Sequence, residues 1–198
     1  MILLASGSPR RAELLRLIGA EFIAHAVDLD ETPMPQERPA DYVERLAIEK
    51  ATAGWQRHAS QTGCKAALGA DTSVVLGGKI LGKPLDRGDH IKMMCALSGQ
   101  HHEVISAVAL TNGVETQARV VLSQVRFRPL TLDEIDAYWN TGEPHDKAGG
   151  YGIQGLGSVF IEFVSGSFTS IVGLPLKETA DLFSTFGIDY WLREPRNE

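Results

Sequence analysis

The sequence predicts an α/β fold built on a mixed twisted sheet with flanking helices. Three observations carry that reading. Segments with helical apolar spacing alternate with short apolar runs of strand character. Two long strand-like runs, residues 104–110 and 114–125, meet at Asn112-Gly113, a strong signal for an antiparallel two-residue hairpin turn. Helical segments such as Ser8-Pro9 to Gly19 and Pro175 to Gly187 open on a capping residue or proline and close on glycine. A chain of 198 residues can bury a sizeable core, and it fits one large domain or two lobes around a cleft.

In chain order, Met1-Ile2-Leu3-Leu4 is a short apolar run and Ser6-Gly7-Ser8 is turn chemistry. Ser8 stands as an N-cap and Pro9 as the first helical residue, where its fixed φ loses no needed donor. Leu14, Leu15, Leu17 and Ile18 carry this helix to Gly19. Residues 21–27 read as a strand, followed by the acidic loop Asp28-Leu29-Asp30-Glu31 and a proline-rich stretch to Pro39. From Asp41 to about His58, Tyr42, Val43, Leu46, Ala47, Ala51 and Trp55 share one side of a helix. Residues 66–70 and 73–76 read as an apolar strand interrupted by Asp71-Thr72, and Gly77-Gly78 as a hairpin turn. Residues 86–97 form a helix closed by Ser98-Gly99. Thr131-Leu132-Asp133-Glu134 is a capping box opening a helix through Trp139. A glycine-rich loop, residues 149–157, precedes a further hairpin turning near Ser165-Gly166. Pro175 starts a last helix ending at Gly187, and residues 193–198 read as a loose tail.

Composition narrows the function classes. Apolar and charged fractions of 43% and 22% are ordinary for a globular protein. A formal charge of −6 argues against a generic nucleic-acid binder, so any anionic ligand must be met by locally clustered Lys and Arg. Cys64 and Cys95 have neither metal-ligand spacing nor a disulfide framework, and a reduced, cytoplasmic setting is expected. The apolar start is too short, and lacks the basic leader, for a signal peptide. No window approaches the roughly 18 apolar residues of a membrane span. Neither nucleic acid nor membrane is expected as a partner.

Candidate chemistry begins with Arg10 and Arg11. They occupy the first turn of a helix, where the dipole makes each cost roughly 0.3–1 kcal/mol. A charge-assisted hydrogen bond to an anion returns about 1.5–3 kcal/mol, and free first-turn N–H groups would add donors. Pairing with surface carboxylates is the other use of two such arginines. Asp71, in Leu68-Gly69-Ala70-Asp71-Thr72-Ser73, sits where an unpaired carboxylate is expensive to bury. It reads either as an acid or base with a partner (a metal, a lysine or a water) or as a turn cap. Gly69 before it permits close approach of another backbone or a ligand.

Gly77-Gly78-Lys79-Ile80-Leu81-Gly82-Lys83-Pro84 nearly matches a P-loop, but Pro84 supplies neither a hydroxyl for Mg²⁺ nor an N–H for phosphate. That argues against a phosphotransferase. Lys83 remains a lone phosphate-binding lysine or an exposed loop lysine. In Asp146-Lys147-Ala148-Gly149-Gly150-Tyr151-Gly152-Ile153-Gln154-Gly155, four glycines allow close backbone approach to a ligand. The Gln154 amide matches the N3–H and O4 edge of uracil or thymine, or closes the loop by bonding backbone. Tyr151 stacks on a base or fills core. Glu31, in its acidic loop, is either solvated or one of the few carboxylates with which Mg²⁺ is commonly held. Of His101-His102, strand alternation puts one outward and one inward.

Taken together, Ser6-Gly7-Ser8-Pro9-Arg10-Arg11, Asp30-Glu31, Leu46-Ala47-Ile48-Glu49-Lys50-Ala51, Gly69-Ala70-Asp71-Thr72, Gly82-Lys83-Pro84, Leu97-Ser98-Gly99, the segment from Lys147 to Gly155, and Val172-Gly173-Leu174-Pro175 resemble the Maf family of nucleoside triphosphate pyrophosphatases. The resemblance runs in order over nearly the whole chain. It implies a single domain over residues 1–198 with two lobes around a central cleft, like inosine triphosphate pyrophosphatases, and often a homodimer. It implies cleavage between the α and β phosphates with a divalent metal, Mg²⁺ or Mn²⁺, and Asp71 as proton acceptor. Ser6, Ser8, Arg11, Lys50, Lys83 and Lys147 are implied at the phosphates, and Glu31 and Asp71 at the metal. Arg10, Thr72 and Gln154 match the branch acting on dTTP and UTP, whereas the 7-methyl-GTP branch carries Trp, Gln and Glu there. Gly150 stands where many relatives have Ala. The alternative is a nucleotide-binding regulator of cell division, in septum formation, without turnover.

Overall fold

The structure, a computed structural model, describes residues 1–191, the side chains of residues 59–62 excepted. The tail expected at residues 193–198 lies outside the described residues. The strands are β1 (Ile2–Leu4), β2 (Phe22–Ala24), β3 (Ala67–Leu76), β4 (Lys79–Leu81), β5 (His101–Thr111), β6 (Thr116–Phe127) and β7 (Ile161–Ser165). The helices are α1 (Pro9–Leu17), α2 (Pro39–Thr62), α3 (Arg87–Leu97), α4 (Leu132–Trp139), α5 (Phe168–Val172) and α6 (Leu176–Thr185). The strands form one mixed sheet in the order β2-β1-β3-β5-β6-β7, with β4 added to β3. β1 runs parallel to β2 and β3, and the remaining pairs are antiparallel.

The sheet's central fact is how β3 is shared. One edge pairs with β5 from Ala67 through Val75. The other edge carries two short partners: β1 opposite Ala67 and Leu68, and β4 opposite Val74, Val75 and Leu76. Between them the edge of β3 from residue 69 to 73 has no strand neighbour. A cleft opens there.

Alternation along the strands divides the core. Ile105, Ala107 and Ala109 of β5 pack under α2 with Val43, Leu46, Ala47 and Ala51. Val108 and Leu110 face the other way, toward Leu14, Leu15, Leu182 and Phe183 of α1 and α6. A third cluster joins Met94, Leu97, Phe127, Ile135, Tyr138 and Tyr151 beside the glycine-rich loop. α2 lies unusually close to the sheet because Gly69 has no side chain. A Cβ there would stand 2.2 Å from the Ala47 carbonyl oxygen and 2.4 Å from the Ala51 nitrogen. Gly54 of α2 gives the same closeness over Ala5. The ligand or backbone that Gly69 was expected to admit is therefore the helix backbone.

Several expectations are corrected. Asp71-Thr72 does not interrupt the strand, since both residues stay in the β5 ladder opposite Ala107 and Ser106. The helix expected over 41–58 spans Pro39–Thr62, begun by Pro39 and ended at Gly63 in the left-handed region (φ 62°). The long hairpin turns one residue later than Asn112-Gly113. Thr111 pairs with Thr116, and Asn112 Oδ1 accepts from the N–H groups of Val114 and Glu115, which makes Gly113-Val114 the turn centre. No hairpin follows Ser165-Gly166; the Ser167 hydroxyl accepts from Ser170 N and opens α5 instead. The capping box at Thr131 and the Asp86 cap of α3 form as their local chemistry requires. Gly77 and Gly78, at φ 56° and 78°, turn β3 into β4, which removes the P-loop geometry. Both cysteines are free, and no helix among the described residues is long and apolar enough to cross a membrane.

Gly69→Ala must push α2 off β3. It is expected to cost about 1–3 kcal/mol, the range of overpacked sites, read as a lower urea midpoint. An unchanged midpoint would contradict this packing. A second prediction concerns His102, 2% exposed, whose Nε2 lies 2.8 Å from the Tyr151 hydroxyl. Burial, with a smaller contribution from His101, holds its imidazole down at about 4 from the ordinary 6.5. The unfolded chain takes that proton first. The stability held by neutral His102 is thus complete above pH 6.5 and is lost as pH falls toward 4, by about 3 kcal/mol in all. Urea unfolding across this window should show that loss, and His102→Gln, which does not titrate there, should flatten it. Equal slopes for the two proteins would refute the assignment.

Candidate active site

The cleft at the bare edge of β3 has a volume of about 750 Å³. Ser6, Ser8, Arg10, Arg11, Glu31, Lys50, Asp71, Thr72, Lys83, Lys147 and Gln154 all line it. They come from the β1–α1 turn, the first turn of α1, the acidic loop, α2, β3, the segment after β4, and the segment of Lys147 and Gln154 that includes the glycine-rich loop. The sheet's open edge is what gathers them.

At its centre Lys50 Nζ donates to Asp71 Oδ1 at 2.8 Å and meets Glu31 Oε1 at 2.6 Å. Lys50 and Asp71 are each 7% exposed, whereas Glu31 is exposed on the cleft wall. The ion pair answers why Asp71 can stay inside a strand: its charge is compensated by an ammonium projected from the helix above Gly69. Breaking such a pair by removing one partner typically costs about 3–5 kcal/mol. Oδ2 of Asp71 has no protein donor among the described residues, so one carboxylate oxygen is anchored and the other is left for a ligand. The acidic loop is tied to α2 as well. The Tyr42 hydroxyl donates to the Glu31 carbonyl at 2.9 Å, and burial raises that phenol to about 12. Arg45 holds Glu37 through two hydrogen bonds of 2.6 and 2.8 Å and keeps that carboxyl down at about 2.

The β1–α1 turn differs from its expected capping. Ser8 occupies the N-cap position of α1, but its side chain makes no capping bond. The serine hydroxyl that works locally is Ser6, which accepts from Ser8 N at 3.2 Å and from Arg11 Nη1 at 3.1 Å. Arg11 Nε donates to the Gly173 carbonyl at 3.0 Å, which aims the guanidinium along the cleft. Burial draws Arg11 below its ordinary pKa, opposed by the charge of Asp71, and an arginine keeps its charge through such a shift. Neither Arg10 nor Lys83 makes an ion pair with a described residue, so the surface-carboxylate use of the arginines is not realised. Among the described residues five cations and three carboxylates (Glu31, Asp71 and Asp146) line the cleft, in a chain whose formal charge is −6.

The far wall is the glycine-rich loop. Lys147 Nζ donates to the Glu143 carbonyl at 3.3 Å and pairs with Asp146. Gly149 and Gly150 take φ of 69° and 72°, and a Cβ on them would strike Val74 and His90. Gln154 is exposed on the cleft, and its amide bonds no described backbone group, so it is not the residue that closes the loop. Closure comes from Glu143, whose carboxylate accepts from the Tyr138 hydroxyl (2.7 Å), Leu156 N (2.7 Å) and Gly157 N (3.0 Å). Those bonds hold the Glu143 carboxyl down against the upward pull of its burial. Tyr151 fills core, packed edge-on against Phe127 at 4.7 Å.

Sequence reading missed these supports: Tyr42 and Arg45 on the acidic loop, Tyr138, Glu143 and His90 on the glycine-rich loop, and Ser106 behind Thr72. His90 Nε2 lies 3.1 Å from the Gly150 carbonyl, which only accepts, so the proton is on Nε2. Thr72 Oγ1 lies 2.8 Å from Ser106 Oγ, directly across the β3–β5 ladder. The one available signal was spacing: Tyr42, Arg45 and Lys50 fall near one side of α2. Among the described residues no three His, Cys, Asp or Glu side chains cluster as a metal centre.

A family model described as Maf-like protein matches residues 1–186. A dTTP/UTP pyrophosphatase of Hahella chejuensis is 53% identical over 190 residues, covering 96% of this chain and 94% of that protein. Proteins of the same description are 52% identical in Aromatoleum aromaticum, covering 94% and 95%, and 48% identical in Pseudoalteromonas atlantica, covering 95% and 98%.

Proposed function

The chain belongs to the Maf-like protein family, and from that premise we propose that it is a nucleoside triphosphate pyrophosphatase. It hydrolyses dTTP and UTP to the nucleoside monophosphate and pyrophosphate, a house-cleaning reaction of the nucleotide pool. The observation that carries the reading is the cleft itself: an excess of cations surrounds a carboxylate with one oxygen anchored and the other free. The relatives described as dTTP/UTP pyrophosphatases support the substrate class.

A water attacks the α-phosphorus, a new P–O bond forms, and the bond from that phosphorus to the oxygen bridging toward the β-phosphorus breaks. Asp71 Oδ2 takes the water's proton, while Lys50 holds Oδ1 and so fixes the direction of the free oxygen. Pyrophosphate leaves with the bridging oxygen. Its growing charge is met by Arg11, Lys83 and Lys147, and Ser6 keeps Arg11 in place. Ser8 and the first-turn N–H groups of α1 add donors at the phosphates. Glu31 and Asp71 both meet the Lys50 ammonium, and their remaining carboxylate oxygens would hold a hard divalent ion that takes its other ligands from phosphate and water. When bound, Mg²⁺ or Mn²⁺ supplies further positive charge beside the triphosphate. Arg10, Thr72 and Gln154 line the cleft as base readers. The Gln154 amide both donates and accepts, as a pyrimidine dione requires, whereas a carboxylate there only accepts.

Purified protein with Mg²⁺ and each nucleoside triphosphate in turn should release pyrophosphate fastest from dTTP and UTP. Nucleotide binding without pyrophosphate would overturn the proposal in favour of a regulator. Asp71→Asn is expected to abolish turnover while dTTP still binds, measured by calorimetry; pyrophosphate release at the unaltered rate would remove Asp71 from the chemistry. Gln154→Glu should lower kcat/KM for dTTP and UTP by at least about tenfold. Unchanged values would take Gln154 out of base recognition.

A further inference from the structure

Ser106 contributes no atom to the cleft, yet it fixes what Thr72 can offer there. Ser106 is fully buried, and its hydroxyl donates to the Ser170 carbonyl in α5 at 2.7 Å. A carbonyl only accepts and a serine hydroxyl has one proton, so that proton is committed. In the 2.8 Å contact between Thr72 Oγ1 and Ser106 Oγ the donor must therefore be Thr72. The threonine's only hydroxyl proton points away from the cleft, and its lone pairs alone remain for a ligand.

We propose that Ser106 is a specificity-determining positioning residue, which holds the Thr72 hydroxyl as an obligate acceptor and so selects a pyrimidine with a hydrogen on N3. Uracil and thymine carry that hydrogen; cytosine presents a lone pair at N3 and meets the lone pairs of Thr72. Gln154 then serves the neighbouring O4 with its amide N–H. This inference rests on the reading of Thr72 as a base-contacting residue and adds the group that sets its polarity. The geometry is robust on the far side too. The Ser170 carbonyl also accepts from Gly173 N at 3.0 Å, so it keeps a donor if the Ser106 hydroxyl is removed.

The test compares kcat/KM for UTP and CTP in three proteins, with melting temperatures recorded alongside. Ser106→Ala frees the Thr72 proton to turn toward the ligand, and the preference for UTP over CTP should shrink by about tenfold, chiefly through faster CTP hydrolysis. Thr72→Val removes donor and acceptor together, and the same preference should collapse through loss of UTP activity. If Thr72→Val leaves the ratio unaltered, the base-reading role of Thr72 is wrong. If it collapses the ratio while Ser106→Ala does not, the polarity assignment alone is overturned. A parallel fall for both nucleotides in Ser106→Ala would mark a merely structural serine and would also overturn it. Should the alanine variant fold poorly, Ser106→Cys, with a weak thiol donor in nearly the same volume, takes its place with the same expectations.

Discussion

Everything in the cleft depends on the distance between α2 and β3. The helix can sit on the strand backbone because Gly69 and Gly54 present no side chain at the two crossings. Only at that distance does Lys50 reach Asp71 with its nitrogen 2.8 Å from the carboxylate, and only with that ammonium can a charged residue remain inside a buried ladder. A single packing constraint thus decides both where the helix lies and whether Asp71 is usable. The same helix then carries the acidic loop on Tyr42 and Arg45, which brings Glu31 to the far side of Lys50. Fold stability and site geometry are not separate problems in this part of the molecule.

A second constraint is the incomplete edge of β3. A strand paired fully on both sides would offer a ligand only side chains; here β1 and β4 leave five residues of one edge uncovered. Strand alternation then works for the site. Asp71 points to the α2 face and Thr72 to the α5 face, yet both border the opening because the edge between them is bare. The loops that complete the cleft are braced from behind rather than by the residues that face it. Glu143 and Tyr138 lock the glycine-rich loop by bonding its backbone, and His90 and His102 hold it from the core side.

How much of this was legible in the sequence follows from the range of the forces involved. The Thr131 capping box, the Gly77-Gly78 turn and the outward-inward pair His101-His102 are local chemistry, and they form as read. Asp71-Thr72 was misread as a break because a carboxylate's burial cost is visible locally, while its compensation lies 21 residues away on another element. Ser8 stands at the N-cap as read, but its side chain makes no capping bond, and the hydroxyl that bonds the turn is that of Ser6, which accepts from Ser8 N and Arg11. Ser165-Gly166 carries turn chemistry that serves a strand-to-helix junction as well as a hairpin, and the Ser167 cap settles which. The residues of the cleft were found through ordered motifs. Their supports were not, because Glu143, Tyr138 and Ser106 act through backbone groups whose positions exist only in the fold.

The charge distribution ties these points to the proposed chemistry. A chain with formal charge −6 repels polyanions at long range, and that field is screened beyond about 8 Å at physiological salt. Inside the cleft the sign reverses, since Arg10, Arg11 and Lys83 have no carboxylate partner of their own among the described residues. Unpaired cations at close quarters are a cost to the fold, and side chains placed that way are stabilised when a ligand supplies the missing anion. Lys147 pairs with Asp146 at the cleft wall, and Lys50 is neutralised by both Asp71 and Glu31, a case that is instructive. Had Lys50 been free like Arg10, Arg11 and Lys83, Asp71 would stand unpaired in a strand; had those three been paired like it, nothing would be left to meet a triphosphate. The division of labour among the cations, Lys50 and Lys147 paired with carboxylates and Arg10, Arg11 and Lys83 held open, is what makes the cleft suited to a small, densely charged substrate.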